Sequence, residues 1–362
     1  MKIIKFACWL YLCVSFWGCT GSSTQFVSPS HQQIKYVGRI NFEDPESPIF
    51  YWSGSSVSVN FTGSSISVIL SDEEGLNYFN VVIDNDSVYP LKLVPGDSCY
   101  ILAENLASNV NHTLSLVKRN EWITGSTAFK GFKITDGGVL KADPKSGRLM
   151  EFYGNSITAG YAIEDNSGGD SPDSTFTNNY VTYAAVTARH FNADLHCTVR
   201  SGIGIQVSWE RPIMPEIYNR LDPRDSLSIW EFSKATPDIV VVNLMQNDSW
   251  LVERPKHKEF KYRFGKEKPT PEKIVEAYAS FVKGIREVYP DTHIICALGS
   301  MDATKEGSPW PGFVSSAVES IQDDKIYTHF FPYIEKRGHP RVEDNKKMAE
   351  SLIAFIEKNI TW

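Results

Sequence analysis

The spacing of apolar residues changes once along this chain, and that change limits the fold more than any other feature. Between about Lys35 and Ile134 the period is two. Val57-Ser58-Val59-Asn60-Phe61, Ile66-Ser67-Val68, Tyr78-Phe79-Asn80-Val81-Val82-Ile83 and His112-Thr113-Leu114-Ser115-Leu116 are short alternating or apolar runs, separated by Thr62-Gly63-Ser64, Asp84-Asn85-Asp86 and Pro95-Gly96-Asp97. Short strands at turn spacing predict an all-β sandwich or jelly roll. Gly137-Gly138 and then Asp143-Pro144-Lys145-Ser146-Gly147 break the pattern. Beyond them strand-like runs (149–153, 193–199, 239–244, 294–298, 326–331) alternate with helical stretches (180–189, 271–288, 342–358). In the 271–288 stretch Ile274, Tyr278, Phe281 and Ile285 share one stripe, as do Met348, Leu352 and Ile356 in the last. This alternation predicts a parallel, doubly wound sheet between helices. The expected division is a β-sandwich over 34–145 followed by an α/β/α domain over 146–362.

The first residues read as an address rather than as fold. Lys2 and Lys5 precede an apolar stretch from Phe6 to Trp17, shorter than the ~20 residues a bilayer-spanning helix needs. The stretch ends in Gly18-Cys19, which resembles a bacterial lipobox with Phe16-Trp17 bulkier than the usual pattern. The expectation is a signal peptide over 1–18, lipidation at Cys19, and a polar tether over 19–33 on a lipoprotein facing the periplasm or cell surface. Cys8 and Cys13 fall in the signal, and Cys99, Cys197 and Cys296 show neither a disulfide framework nor zinc spacing.

A formal charge of −7 argues against nucleic acid as a partner, since phosphate binding needs concentrated Lys and Arg. The basic stretch Lys256 to Lys268 is interleaved with Glu259 and Glu267 and reads as a solvated excursion. No metal motif, phosphate-binding loop or dinucleotide fingerprint is present, so neither metal nor cofactor is expected.

Four positions in the second domain each follow an expected strand: Ser156 in Gly154-Asn155-Ser156-Ile157-Thr158, Gly202 in Ser201-Gly202-Ile203-Gly204, Asn247 in Gln246-Asn247-Asp248, and His339 in Gly338-His339-Pro340. In a parallel sheet the loops after the strands converge on one edge, where such folds bind ligands. A serine hydroxyl is a weak nucleophile that needs a base, which His339 supplies. Acyl transfer also develops an oxyanion, for which the N–H groups of Ser156 and Gly202 and the Asn247 side-chain amide are candidate donors. The other histidines read as structural or surface residues.

These segments resemble the Ser, Gly, Asn and His blocks of the SGNH (GDSL-type) hydrolases. Tyr78-Phe79-Asn80-Val81, Leu116-Val117-Lys118-Arg119, Trp230-Glu231-Phe232-Ser233, Pro237-Asp238-Ile239-Val240-Val241 and Leu298-Gly299-Ser300-Met301 are similar to carbohydrate esterase family two, the acetylxylan esterase-like deacetylases. The resemblance implies an amino-terminal jelly roll joined to an SGNH domain, and removal of O-acetyl groups from sugars or plant polysaccharide of the xylan or glucomannan class. It implies an acetylated saccharide as substrate, and the chain is expected to act as a monomer. Two departures stand out: Met245 occupies the glycine of the usual Gly-x-Asn-Asp, and Lys336 stands where an Asp usually precedes the catalytic His by three positions. The resemblance then implies a Ser156–His339 dyad oriented by a main-chain carbonyl; the alternative is Glu335 standing in for the missing acid. Trp209, Trp250 and Trp310 are candidate platforms for sugar rings. The alternatives are a carbohydrate-binding protein with a degenerate site, or an SGNH lipase or thioesterase.

Overall fold

The structure is a computed structural model and describes residues 23–144, 146–335 and 338–362. Cys19 and the expected signal lie outside the described residues.

The first domain is two six-stranded antiparallel sheets facing one another. One runs Ile40–Asn41, Ile49–Phe50, Thr127–Thr135, Ser65–Asp72, Gly96–Ala103; the other runs Gly138–Val139, Ser56–Thr62, His112–Lys118, Tyr78–Ile83, Ser87–Lys92. Alternation does what it predicts: in Ser65–Asp72 every second residue is buried, and Val57, Val59, Phe61, Val68, Leu114, Leu116 and Phe132 fill the space between the sheets. Tyr78–Ile83 departs from this, being buried at all six positions. Its outer face is covered by the second domain, as the Asn80–Asn178 hydrogen bond of 2.8 Å records.

The expected tether ends earlier than 33. Thr24–Val27 is a strand paired with Thr127–Thr135, and Lys35–Val37 pairs with Ser56–Thr62. Val27 is buried in the sandwich core while Phe26 beside it is exposed, and the ladder bonds of this strand come from an available sheet edge.

The second domain holds a five-stranded parallel sheet in the order Asp194–Val199, Leu149–Gly154, Ile239–Asn243, His293–Leu298, Ile326–Phe330. Helices Tyr183–His190 and Val342–Asn359 cover one face, Pro271–Val288 and Trp310–Ile321 the other. Pro271–Val288 begins where its sequence dictates: Thr270 caps it, Pro271 sits at its first turn, and the Ile274-Tyr278-Phe281-Ile285 stripe is buried. The expected 180–189 helix is shorter, because Asn179–Val181 is a 3-10 turn and the α-helix starts only after Thr182 caps it. The chain reverses direction across the sheet between the first and third strands of the domain. That switch point opens a crevice at their carboxyl ends.

Arg39 joins the two domains. Only 2% exposed, it crosses from the sandwich to place one guanidinium nitrogen 2.7 Å from Glu151 Oε1 and 2.9 Å from the Tyr153 hydroxyl, and it also donates to the carbonyls of Tyr218 and Arg220.

Candidate active site

Ser156 begins a one-turn helix, Ser156–Ala159, directly after strand Leu149–Gly154. The Asn155 side chain caps that turn by accepting from the Ile157 N–H at 3.0 Å, which pins the backbone on either side of the serine. Arg200 N–H donates to the Gly154 carbonyl at 3.2 Å, so the loop carrying Gly202 lies against the serine turn. Neither the Ser156 N–H nor the Gly202 N–H has an acceptor among the described residues. Gly202 has φ +77°, the left-handed region that disfavours a side chain, and its absent side chain faces Trp209 at 3.3 Å.

Asn247 lies on helix Gln246–Leu251, and both ends of its amide are fixed. Its oxygen accepts from Trp209 Nε1 at 3.1 Å, while its nitrogen donates to the Ile203 carbonyl at 2.8 Å. An amide nitrogen has two hydrogens, so the second is left for an anion. Asp248 next to it shapes the turn beyond Gly202 by accepting the N–H groups of Ile205, Gln206 and Val207. Met245 does take the place of a glycine in backbone terms, at φ +76°. Its side chain is fully buried in the hydrophobic core.

His339 Nε2 stands 2.7 Å from Ser156 Oγ. Its other nitrogen corrects the sequence reading: Nδ1 is 2.7 Å from Asp170 Oδ2, so a carboxylate orients the ring where a main-chain carbonyl was expected. Glu335, the expected substitute, is exposed. Asp170 also accepts the His339 main-chain N–H at 3.0 Å and Arg341 at 3.0 Å. Gly338 has no side chain to obstruct this approach: a Cβ there would lie 2.6 Å from Asp170 Oδ1. The hydrogen bond from His339, followed by its main-chain N–H, its charge and Arg341, outweighs partial burial and holds the Asp170 carboxyl well below its usual range. Tyr161 packs edge-on against the imidazole, ring centroids 5.1 Å apart.

Asp170 sits in the loop between Ser156 and helix Tyr183–His190, and the sandwich domain grips that loop. Arg119 pairs with Glu164 and donates to the carbonyls of Thr175 (3.0 Å) and Thr177 (3.3 Å). Asn120 donates to the Ser174 carbonyl at 2.7 Å, and the Tyr78 hydroxyl meets Thr175 Oγ1 at 2.9 Å. Asp165 folds the loop's tip by accepting the N–H groups of Ser167 and Ser171, each at 2.8 Å.

Of the three tryptophans, Trp209 and Trp250 flank this edge with centroids 6.5 Å apart, and Trp250 donates to Asp302 at 2.8 Å. Trp310 is not at the site: it is buried in the core at the start of helix Trp310–Ile321. A cavity of about 250 Å³ beside the histidine is lined by Trp250, Asp302, Tyr333, Gly338 and Pro340 among others. Cys197 and Cys296 are buried, and burial pushes both thiols up to about 12. Among the described residues no group of three or more His, Cys, Asp or Glu is placed to hold a metal ion.

A serine, an imidazole and a carboxylate in this sequence of contacts, facing amide donors at the switch point of a parallel sheet, form an arrangement suited to acyl transfer. Comparison with known proteins narrows the class. Residues 36–144 match the family described as carbohydrate esterase 2 N-terminal. A family two carbohydrate esterase from Clostridium thermocellum, solved in complex with cellohexaose, superposes with a TM-score of 0.80 at 32% identity, covering 90% of this chain and 98% of that one. The cellulase/esterase CelE of Acetivibrio thermocellus is 32% identical over 345 residues, which is 91% of this chain and 40% of that protein, so the chain spans well under half of that relative. An acetylxylan esterase / glucomannan deacetylase of Cellvibrio japonicus is 21% identical over 94% of this chain and 93% of its own length. The chain belongs to carbohydrate esterase family two.

Proposed function

We propose that this protein is a serine-dependent carbohydrate esterase that removes O-acetyl groups from sugars or plant polysaccharides of the xylan or glucomannan class. The observation that carries the reading is the chain of 2.7 Å contacts from Ser156 Oγ through His339 to Asp170. In the proposed reaction Ser156 Oγ attacks the acetyl carbonyl carbon while His339 Nε2 takes the hydroxyl proton. The carbonyl oxygen becomes an oxyanion held by the N–H groups of Ser156 and Gly202 and by Asn247 Nδ2. His339 then gives its proton to the departing sugar oxygen. Water, deprotonated by the same nitrogen, cleaves the acetyl-serine to acetate. Asp170 keeps the proton-bearing Nδ1 turned inward and offsets the positive charge on the ring. Three names favour this substrate class: the carbohydrate complex of one relative and the deacetylase and esterase names of two others.

Trp209, Trp250 and the cavity beside His339 support a saccharide lying across this edge. The order of the sandwich strands supports reading that domain as a jelly roll. Lipid anchoring through Cys19, outside the inner membrane, completes the proposal. Two lipid signals are needed for stable anchoring, and a triacylated amino-terminal cysteine supplies them. The test is acetate release by the purified protein from acetylated xylan, acetylated glucomannan and simple acetyl sugars, with Ser156→Ala alongside. Release that depends on Ser156 upholds the reading. Binding of these glycans with no Ser156-dependent release makes the protein a lectin-like relative instead, and preference for long acyl esters makes it a lipase or thioesterase.

A further inference from the structure

Glu121 belongs to the sandwich, three residues after strand His112–Lys118, yet its carboxylate serves the other domain. It is 3% exposed, and both oxygens go to one residue: Oε2 accepts the main-chain N–H of Ser201 and Oε1 accepts the Ser201 hydroxyl. No cation pairs with it among the described residues. The nearby Arg200 guanidinium is turned to the carbonyls of Glu210 and Pro212, and Lys118 bonds the carbonyls of Asn120 and Glu121 rather than the carboxylate. Burial accordingly pushes the Glu121 carboxyl above its ordinary value, opposed first by the Ser201 donors and then by the charges of Arg200 and His339. An anion buried without an ion pair costs stability. Here the fold carries that cost against the residue that precedes Gly202.

The geometry explains what is gained. Planar peptides leave two soft dihedrals per residue, so the direction of the Gly202 N–H is set by the torsions at Ser201. Glu121 clamps the peptide on the near side of Ser201 together with its side chain. On the far side the Gly202 carbonyl accepts the Trp209 N–H at 2.9 Å. Between these two anchors the Gly202 N–H has little freedom to turn away. We infer that Glu121 is a positioning residue for the oxyanion turn, so that the amino-terminal sandwich contributes to catalysis through the backbone of Ser201-Gly202. This rests on the serine-esterase reading above.

The substitutions separate geometry from charge. In Glu121→Gln the amide oxygen still accepts the Ser201 N–H while the amide nitrogen donates to the Ser201 hydroxyl, so the clamp survives without its charge. In Glu121→Ala it is lost. On an acetyl ester with the full chain, Glu121→Ala is expected to lower kcat by roughly 30-fold or more, approaching the ~10²–10³ of a lost donor, with KM within about threefold. Glu121→Gln is expected to restore kcat to within roughly fivefold of the parent, because it keeps the donors that a preorganised site needs. Ser201→Ala, at a half-buried turn, removes only the hydroxyl arm and is expected to lower kcat roughly tenfold. It also serves if Glu121→Ala does not fold. The inference is overturned if folded Glu121→Ala or Ser201→Ala keeps kcat within twofold, if the loss lies in KM, or if Gln is no better than Ala. Turnover that survives Ser156→Ala overturns the serine reading and this role together. Turnover that needs Ser156 but ignores Glu121 overturns this role alone.

Discussion

The Asp170 carboxylate and the His339 imidazole meet at 2.7 Å although 169 positions separate them in the chain. The carboxylate that meets the imidazole therefore comes from the loop after Ser156, not from the loop that bears the histidine. Asp170→Asn is expected to lower kcat by about 10³–10⁴ by releasing the imidazole into the wrong tautomer. Glu335→Gln, at an exposed position, is expected to stay within about twofold. Steady-state kinetics on an acetyl ester measure both, and a large loss confined to Glu335→Gln would reverse the assignment.

The Trp209 indole holds the Asn247 amide oxygen at 3.1 Å and so aims its nitrogen. Trp209→Phe keeps the ring and removes this bond. We expect roughly a tenfold fall in kcat, less than the ~10²–10³ expected for Asn247→Ala. Equal losses in the two variants would mean that Trp209 does more than orient the amide.

Met245 holds a left-handed backbone, which costs a residue with a side chain about 1–2 kcal/mol. Glycine would relieve that, but the side chain is fully buried, and truncating a buried methionine costs about 2–5 kcal/mol. Met245→Gly is therefore expected to be less stable by about 1–3 kcal/mol, despite matching the commoner motif. Denaturant unfolding measures the difference. A more stable variant would show that backbone strain outweighs the packing.

Burial pulls the imidazoles of His196 and His329 down to about 4. Below about 6.5 the unfolded chain protonates rings that the folded chain keeps neutral until about 4, so stability falls as pH drops through that window. Each ring contributes up to about 3 kcal/mol of that loss. Unfolding free energies at pH 7 and pH 4.5 should show the fall, and His329→Gln should make it shallower. An unchanged pH dependence in that variant would contradict the cause given.

Legibility followed the range of the forces involved. Helix Pro271–Val288 was readable because its stripe of Ile274, Tyr278, Phe281 and Ile285 is a local signal, and the structure shows the Thr270 cap and Pro271 that start it there. Ser156 and His339 were readable because each follows a strand of a regular sheet. Asp170 was not, for its loop of Ser, Gly and Asp has no period, and its role depends on Arg341 and His339 reaching it from far along the chain. The one available hint was the acidic, glycine-rich stretch Asp165 to Asp170 soon after the nucleophile. Glu121 gave no hint, because its partner Ser201 lies 80 positions away in the other domain. Trp310 misled for a related reason: a tryptophan beside a loop looks the same in sequence whether it faces sugar or core.

The Arg39–Glu151 contact bears on how such a chain can be cut and recombined. The Asp143–Gly147 break looks like a natural seam, the place where a protein engineer would graft the carboxyl-terminal half onto another carrier. Severed there, that half would keep Glu151 on the second strand of its sheet with its cationic partner gone. Stranding a buried charge in this way typically costs about 3–5 kcal/mol, a large share of the stability a domain possesses. What reads along the sequence as two cassettes is thus tied together by a buried ion pair, and a graft of the second half alone is expected to lose stability.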